Sequence, residues 1–173
     1  MPPAGFQNGE SAVRGGPTII GGVPVLLLET IALLGTGITA GVFFAVAVSV
    51  VPTLAALTPS AYVRVHQLLG KGYHPWMPLI VTAALLSDIA AAVLTPGPPR
   101  WLLLFAAVML AGVQVVSQFR NVPINRVVGR LIASDLPADW SDPRASWRAW
   151  HLLRTAFAVV AFAATSLAVA VTG

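Results

Sequence analysis

The sequence predicts an all-α integral membrane protein, a four-helix bundle with short interfacial helices on its cytoplasmic side. Three observations predict it. Only 9% of the 173 residues are charged, 57% are apolar, and the mean hydropathy is +0.82, whereas soluble domains carry about 25% charged residues. Apolar runs at about 23–57, 76–94, 101–118 and 143–171 each reach the length that crosses a bilayer, roughly 20 residues. Arginine and lysine gather in the connections between those runs, which is how membrane helices are flanked.

The same numbers exclude other classes. A pI near 10.7 could suggest nucleic acid, but the basic residues are few and sit beside apolar runs rather than among exposed aromatics, so no nucleic-acid partner is expected. Cysteine is absent, which removes disulfides, thiolate metal sites and cysteine nucleophiles. The length suits one domain, with four crossings and their loops occupying nearly all of it.

Residues 1–22 are rich in glycine and proline and lack either periodicity, so a disordered tail is expected, with the four-transmembrane-helix domain at 23–173. The apolar run that begins near Val23 outlasts the about 7 to 15 residues of a signal peptide and reads as a retained anchor. Pro24 and Pro52 stand where this first helix would start and end. Gly35, Gly37 and Gly41 in its middle permit close approach of a neighbouring helix or leave room for a ligand. Glu29 is a carboxylate inside an apolar run, where such groups are costly and functional by default, unless the interface hydrates it.

The connection 58–75 carries Arg64, His66, Gln67, Lys71 and His74. Tyr62, Val65, Leu68 and Leu69 recur there at helical spacing, which predicts a short interfacial helix, and Tyr73 and Trp76 suit the headgroup belt. The second crossing, 76–94, holds Asp88 in its distal half, and the proline-dense turn Thr95–Arg100 must be short and exposed. Gln114 and Gln118 share a face near the end of the third crossing. Asn121 then caps a new helical start, with Pro123 in the first turn, running to about Ile132. Asp142 followed by Pro143 repeats that pattern for the last helix.

Four crossings put Arg14 and Arg100 on one side and Arg64, Lys71, Arg120, Arg126, Arg130, Arg144 and Arg148 on the other. By the positive-inside rule the second side is cytoplasmic, so both termini face outward from the cell membrane and loops 58–75 and 119–146 face inward. Glu29 and Asp88 then fall in the outer half at similar depth, where they would form a proton or cation path. The histidines, Asn121, Asn125, Trp147 and Arg154 gather at the inner ends.

Trp147, His151 and Arg154 are spaced i, i+4, i+7 and line one stripe of the last helix. The imidazole offers a base, a proton shuttle or a metal ligand, and the guanidinium one turn on can hold an anionic oxygen. An interfacial Trp–Arg anchor with a passenger histidine fits the spacing equally. His66 joins the stripe only if the interfacial helix folds back over the bundle. With it, His66 and His151 could hold iron or copper, although no H-x-x-x-H or E-x-x-H spacing occurs. Asn121 and Asn125 could bond a ligand's phenol or carbonyl, or cap helices.

Three stretches, GTGITAGVFFAVAVSVVP from Gly35 to Pro52, NVPIN from Asn121 to Asn125 and WRAWHLLR from Trp147 to Arg154, resemble the anthrone oxygenase-like family of small four-helix membrane proteins. Characterised members are associated with oxidation of anthrones to anthraquinones in polyketide pathways. The resemblance implies an oxygenase for a lipophilic aromatic, with Asn121, Asn125, Trp147, His151 and Arg154 as its site. It leaves the cofactor open: none, or a transition metal as iron, copper or haem. The implied partners are the lipid bilayer, a lipophilic small-molecule substrate and further copies of the chain. An anthrone is a flat ketone with an acidic CH₂, so the site needs a greasy slot, a base such as His151, and donors such as Arg154 or Asn121 for the oxyanion. Fold likeness does not transmit substrate, and two other readings stay open: a small proton-coupled transporter using Glu29, and a non-catalytic membrane subunit.

Overall fold

The computed structural model describes residues 19–172; of the tail expected at 1–22, residues 1–18 lie outside the described residues, and 19–22 belong to the first helix instead. Every regular element in them is helical: α1 (Ile19–Ala45), a π-helical segment (Val46–Val50), α2 (Val51–Ala56), α3 (Pro59–Tyr73), α4 (Trp76–Leu94), α5 (Pro98–Val116), a second π-helical segment (Ser117–Asn121), α6 (Val122–Arg130) and α7 (Arg144–Thr172). Four stretches are long and apolar enough to cross a membrane, Gly22–Ala56, Trp76–Leu94, Pro98–Arg130 and Arg144–Thr172, which makes this a multi-pass membrane protein.

Two of these stretches run further than punctuation by proline predicts. Pro24 lies inside α1 rather than at its start, and Pro52 does not end the first helix. Just before Pro52 the Val51 N–H bonds the Val46 carbonyl, five residues back. That single wider turn resets the ladder, so proline falls in the first turn of the renewed helix, where its missing N–H is not needed. The same device precedes Pro123, with the Val122 N–H on the Ser117 carbonyl. The third crossing therefore continues to Arg130 instead of breaking near Ser117. Asn121 is not a cap: its backbone is α-helical and its side chain makes no capping bond.

α1 packs on α4 and α7, and α5 packs on the same two helices, so the bundle closes in the order α1–α4–α5–α7. Its core is built of small side chains, with Ala40, Ala84, Ala106, Ala158, Ala161 and Ala164 around Phe43, Val81, Leu110 and Val113. Small residues bring helix backbones close where lipid supplies no hydrophobic drive for association. Gly35 marks the tightest approach: a Cβ there would meet the Ala84 Cβ at 2.8 Å. Gly41 lies outside this contact, exposed and with open space beside it.

At one end α2, α6 and the start of α7 form a second layer with α3, around Val46, Val51, Leu54, Tyr62, Val63, Val128 and Trp147. At 1.5 Å per residue the 33- and 35-residue stretches reach about 50 Å, well beyond a hydrocarbon core of about 30 Å. Polar bonds tie this layer down. Gln67 Nε2 donates to the Val128 and Leu131 carbonyls, both at 3.0 Å, holding α3 on the end of α6. Arg144 Nη1 donates to the Leu54, Ala55 and Leu57 carbonyls at 3.2, 3.3 and 2.7 Å, closing the end of α2. Asp142 pairs with the Arg144 guanidinium at 2.5 Å and accepts the Arg144 N–H at 3.0 Å, fixing the start of α7. The Arg144 side chain in turn holds the Asp142 carboxyl below its usual range.

Candidate active site

The interfacial helix does fold back, which brings His66 onto the Trp147 stripe. The Trp147 indole lies parallel to the His151 ring, centroids 5.2 Å apart and planes 5° apart, while the His66 ring meets the indole edge-on at 5.4 Å. Beneath them Asn125 Oδ1 accepts from Trp147 Nε1 at 2.9 Å and lies 3.0 Å from His66 Nε2. Indole nitrogen only donates, so it fixes which way the Asn125 amide points. His66 Nε2 must then donate as well, and its lone pair is on Nδ1. That atom is buried without a partner. Burial also lowers the basicity of His66, against a smaller opposing effect of Asn125.

His151 is fully buried and committed at both nitrogens. Arg154 approaches Nδ1 with Nε at 3.1 Å and Nη2 at 3.0 Å. Guanidinium only donates, so Nδ1 is the acceptor and Nε2 donates to the Phe43 carbonyl at 3.1 Å. Arg154 Nη1 lies 3.4 Å from Ser117 Oγ, and the guanidinium carbon sits 4.6 Å over the Phe43 ring. The sole ion pair among the described residues is Arg144 with Asp142, which leaves Arg154 a partly buried cation without a carboxylate.

These groups line a cavity of about 550 Å³ between the two layers, within the roughly 300–1,000 Å³ of small-molecule sites. Val42, Val46, Met77, Val81 and Val113 give it an apolar wall, and His66, Asn125, Trp147, His151 and Arg154 are among its polar groups, with Lys71, Gln114 and Arg126 also in the lining. No aspartate or glutamate lines it. Asn121 is not in this wall. It is fully buried, its Nδ2 donates to the Trp147 carbonyl at 3.3 Å, and its Oδ1 is left without a partner, so it joins the second π segment to α7 instead of meeting a ligand.

Several contributors were not singled out by sequence reasoning. The Phe43 carbonyl is invisible to side-chain patterns. Tyr62 read only as an apolar position, yet it stands one turn from His66 with rings 5.3 Å apart, and burial, then Asp142, push its hydroxyl up to about 12. Ser117 lies three residues after Gln114, and the Gln114–Gln118 face was the readable signal for it.

The donor set does not suit a metal or haem. The Trp147 indole separates the two imidazoles expected as ligands, and His151 has no nitrogen left to give. Among the described residues no three histidine, aspartate or glutamate side chains converge. Nor are the two carboxylates of the apolar runs brought together. Glu29 accepts from Thr172 at 3.2 Å, and Asp88 accepts from Thr165 at 3.1 and 3.3 Å. Those threonines are two turns apart on α7, about 10 Å, and neither carboxylate lines the cavity.

The family model described as Anthrone oxygenase matches residues 26–164. The chain belongs to this family. The match takes in the second and third crossings and most of the first and fourth, and it includes every polar residue of the cavity wall named above. Comparison with curated proteins and with solved structures gives no match.

Proposed function

We propose that the protein is a membrane-embedded oxygenase that oxidises a flat, lipophilic aromatic ketone of the anthrone type with O₂. The observation that carries this reading is Arg154, a guanidinium with no carboxylate partner, set in the wall of a cavity that no aspartate or glutamate lines. Even partial burial of an unpaired cation is costly, and a ligand that develops an anionic oxygen would relieve that cost. Deprotonating the acidic CH₂ of an anthrone places negative charge on the ring oxygen, and preorganised donors at such an oxygen are typically the largest single contribution to catalysis. His151 positions that donor: its Nδ1 accepts from Arg154, and its Nε2–H is anchored on Phe43. Trp147, stacked on His151, presents a flat aromatic wall to a planar substrate.

The reaction balances without a resident redox group. The CH₂ and O₂ become C=O and H₂O, the substrate anion supplying the electrons. The base role expected for His151 is not open to it in this arrangement, because the lone pair it would use is occupied by Arg154. The side bearing α3 and α6 is read as cytoplasmic from its excess of basic residues, and the substrate would reach the cavity from the bilayer of the cell membrane.

Replacing the guanidinium tests the reading. With anthrone as substrate, Arg154→Met should lower kcat/KM for O₂-dependent oxidation by about 10²–10³, and Arg154→Lys should recover part of it. Oxidation by Arg154→Met at the wild-type rate would remove the reading's main support.

A further inference from the structure

We propose that the substrate of this cavity carries a carboxylate at one end, and that Lys71 and Arg126 are the specificity-determining residues that hold it at the cavity mouth. The proposal rests on the oxygenase reading and narrows its substrate class to an aromatic ketone with an acid substituent.

The lining sorts by exposure. Phe43, Val46, Val81, Val113, Trp147 and His151 are buried, whereas Lys71 and His74 at the end of α3, Gln118 ahead of α6 and Arg126 on α6 are exposed. The cavity therefore opens where the end of α3 stands beside α6, and two cations are rooted at that opening. Arg154, bonded to the buried His151, is less exposed than either. Positive charge on this side of the membrane needs no ligand to explain it. Its distribution over the cavity does. Arg64 and Lys71 are both exposed on α3, and Arg126 and Arg130 are both exposed on α6, yet only Lys71 and Arg126 line the cavity. Neither belongs to the sole ion pair among the described residues, and the aspartates of the connection after α6, Asp135, Asp139 and Asp142, are all absent from the lining. The mouth thus holds two positive charges and no acid to balance them. Each charge sits at the end of a long flexible stem, so both side chains can reach a group in the opening without one fixed rotamer.

The interior selects the rest of the molecule. Its apolar wall and the Trp147–His151 stack suit a flat ring system, and about 550 Å³ is the size of a small-molecule site. The acid accordingly belongs to a compact aromatic rather than to a two-chain lipid. Such a substrate is amphiphilic, with its rings in the bundle and its carboxylate at the level where Tyr73 and Trp76 suit the headgroup belt. The carboxylate takes no part in the oxidation. Held at the mouth, it lets only the opposite end of the molecule enter the apolar wall, which fixes the direction in which the ketone is presented.

Binding separates this proposal from the reaction. The full chain in uncharged detergent micelles is titrated with anthrone and with an anthrone bearing one ring carboxylate, tryptophan fluorescence reporting occupancy. Exposed charge pairs contribute little each, and two together correspond to roughly a tenfold tighter Kd for the acid. Lys71→Gln with Arg126→Gln should erase that preference, and with O₂ present the loss should fall on KM for the acid rather than on kcat. Arg64→Gln with Arg130→Gln, which removes the same charge from the same two helices away from the lining, should keep it. Equal affinity of the wild type for the two compounds would overturn the proposal, and oxidation of both would leave the oxygenase reading standing. Loss of the preference in both double variants would overturn it in favour of the general field of this side, and displacement of the acid by phosphatidylglycerol would overturn it in favour of a lipid headgroup. A wild type that prefers the acid through Lys71 and Arg126 but oxidises neither compound would support the site and contradict the oxygenase reading. Should the variants fail to fold, salt decides with the wild type alone: exposed pairs are screened, so the preference should vanish at high ionic strength, and a preference indifferent to salt would overturn the proposal.

Discussion

Two donors that cannot accept, the Trp147 indole and the Arg154 guanidinium, set the protonation pattern of the cavity wall. Each fixes one imidazole, in opposite senses: Trp147, through Asn125, leaves His66 with a free lone pair, while Arg154 removes that of His151. The chemistry of the wall therefore depends on neighbours as much as on the histidines themselves. It also makes the second layer sensitive to acid. Burial holds the basicity of His66 below its ordinary value of 6.5, so the unfolded chain binds the proton more readily than the folded one. Stability from this source is complete above about pH 6.5 and declines as pH falls below it. Asp142, held below its ordinary value of 3.8 by Arg144, adds stability that is present above about pH 4 and is lost in still stronger acid. Thermal unfolding in detergent should show the first decline in wild type and not in His66→Gln, whereas Asp142→Asn should remove only the second. A midpoint flat from pH 7 to 5 in wild type would contradict this account.

At the scale of elements, the contact between α1 and α4 has a single tightest point. A Cβ at Gly35 would meet the Ala84 Cβ at 2.8 Å, and Ala84 is fully buried and cannot turn aside. Gly35→Val should therefore force the two helices apart and cost about 1–3 kcal/mol, seen as a lower unfolding midpoint. Gly41→Ala, exposed and with open space around it, should be neutral or slightly stabilising through helix propensity. Equal effects of the two substitutions would show that Gly35 is not at a packed contact. The sequence told these glycines apart only by position along the run, since the neighbour that matters is 49 residues away. Prolines misled in a related way. Pro52 and Pro123 read as helix boundaries because an interior proline removes a ladder bond, yet one π turn ahead of each absorbs the loss. Asn121 read as a cap for the same reason, and its side chain turned out to be buried against α7.

The whole molecule is a membrane bundle of small side chains with a second layer of larger, polar-tied ones at one end, and the cavity lies at their junction. Hydropathy made the four crossings legible, and helical spacing placed Trp147, His151 and Arg154 on one stripe. What no local pattern carries is the partnership across distance. His66 meets Asn125 from 59 positions away, and His151 meets the Phe43 carbonyl from 108. Those pairings decide which imidazole can accept a proton, and they arise only when α3 is laid over the bundle end. The central claim is that this wall suffices to oxidise an anthrone with O₂. The most direct test is turnover by purified wild-type protein after treatment with a metal chelator, recording O₂ uptake and anthraquinone formation together. The account predicts one O₂ consumed for each quinone formed, at a rate that chelation does not change; a protein that forms no quinone, or forms it only once metal is restored, would contradict it.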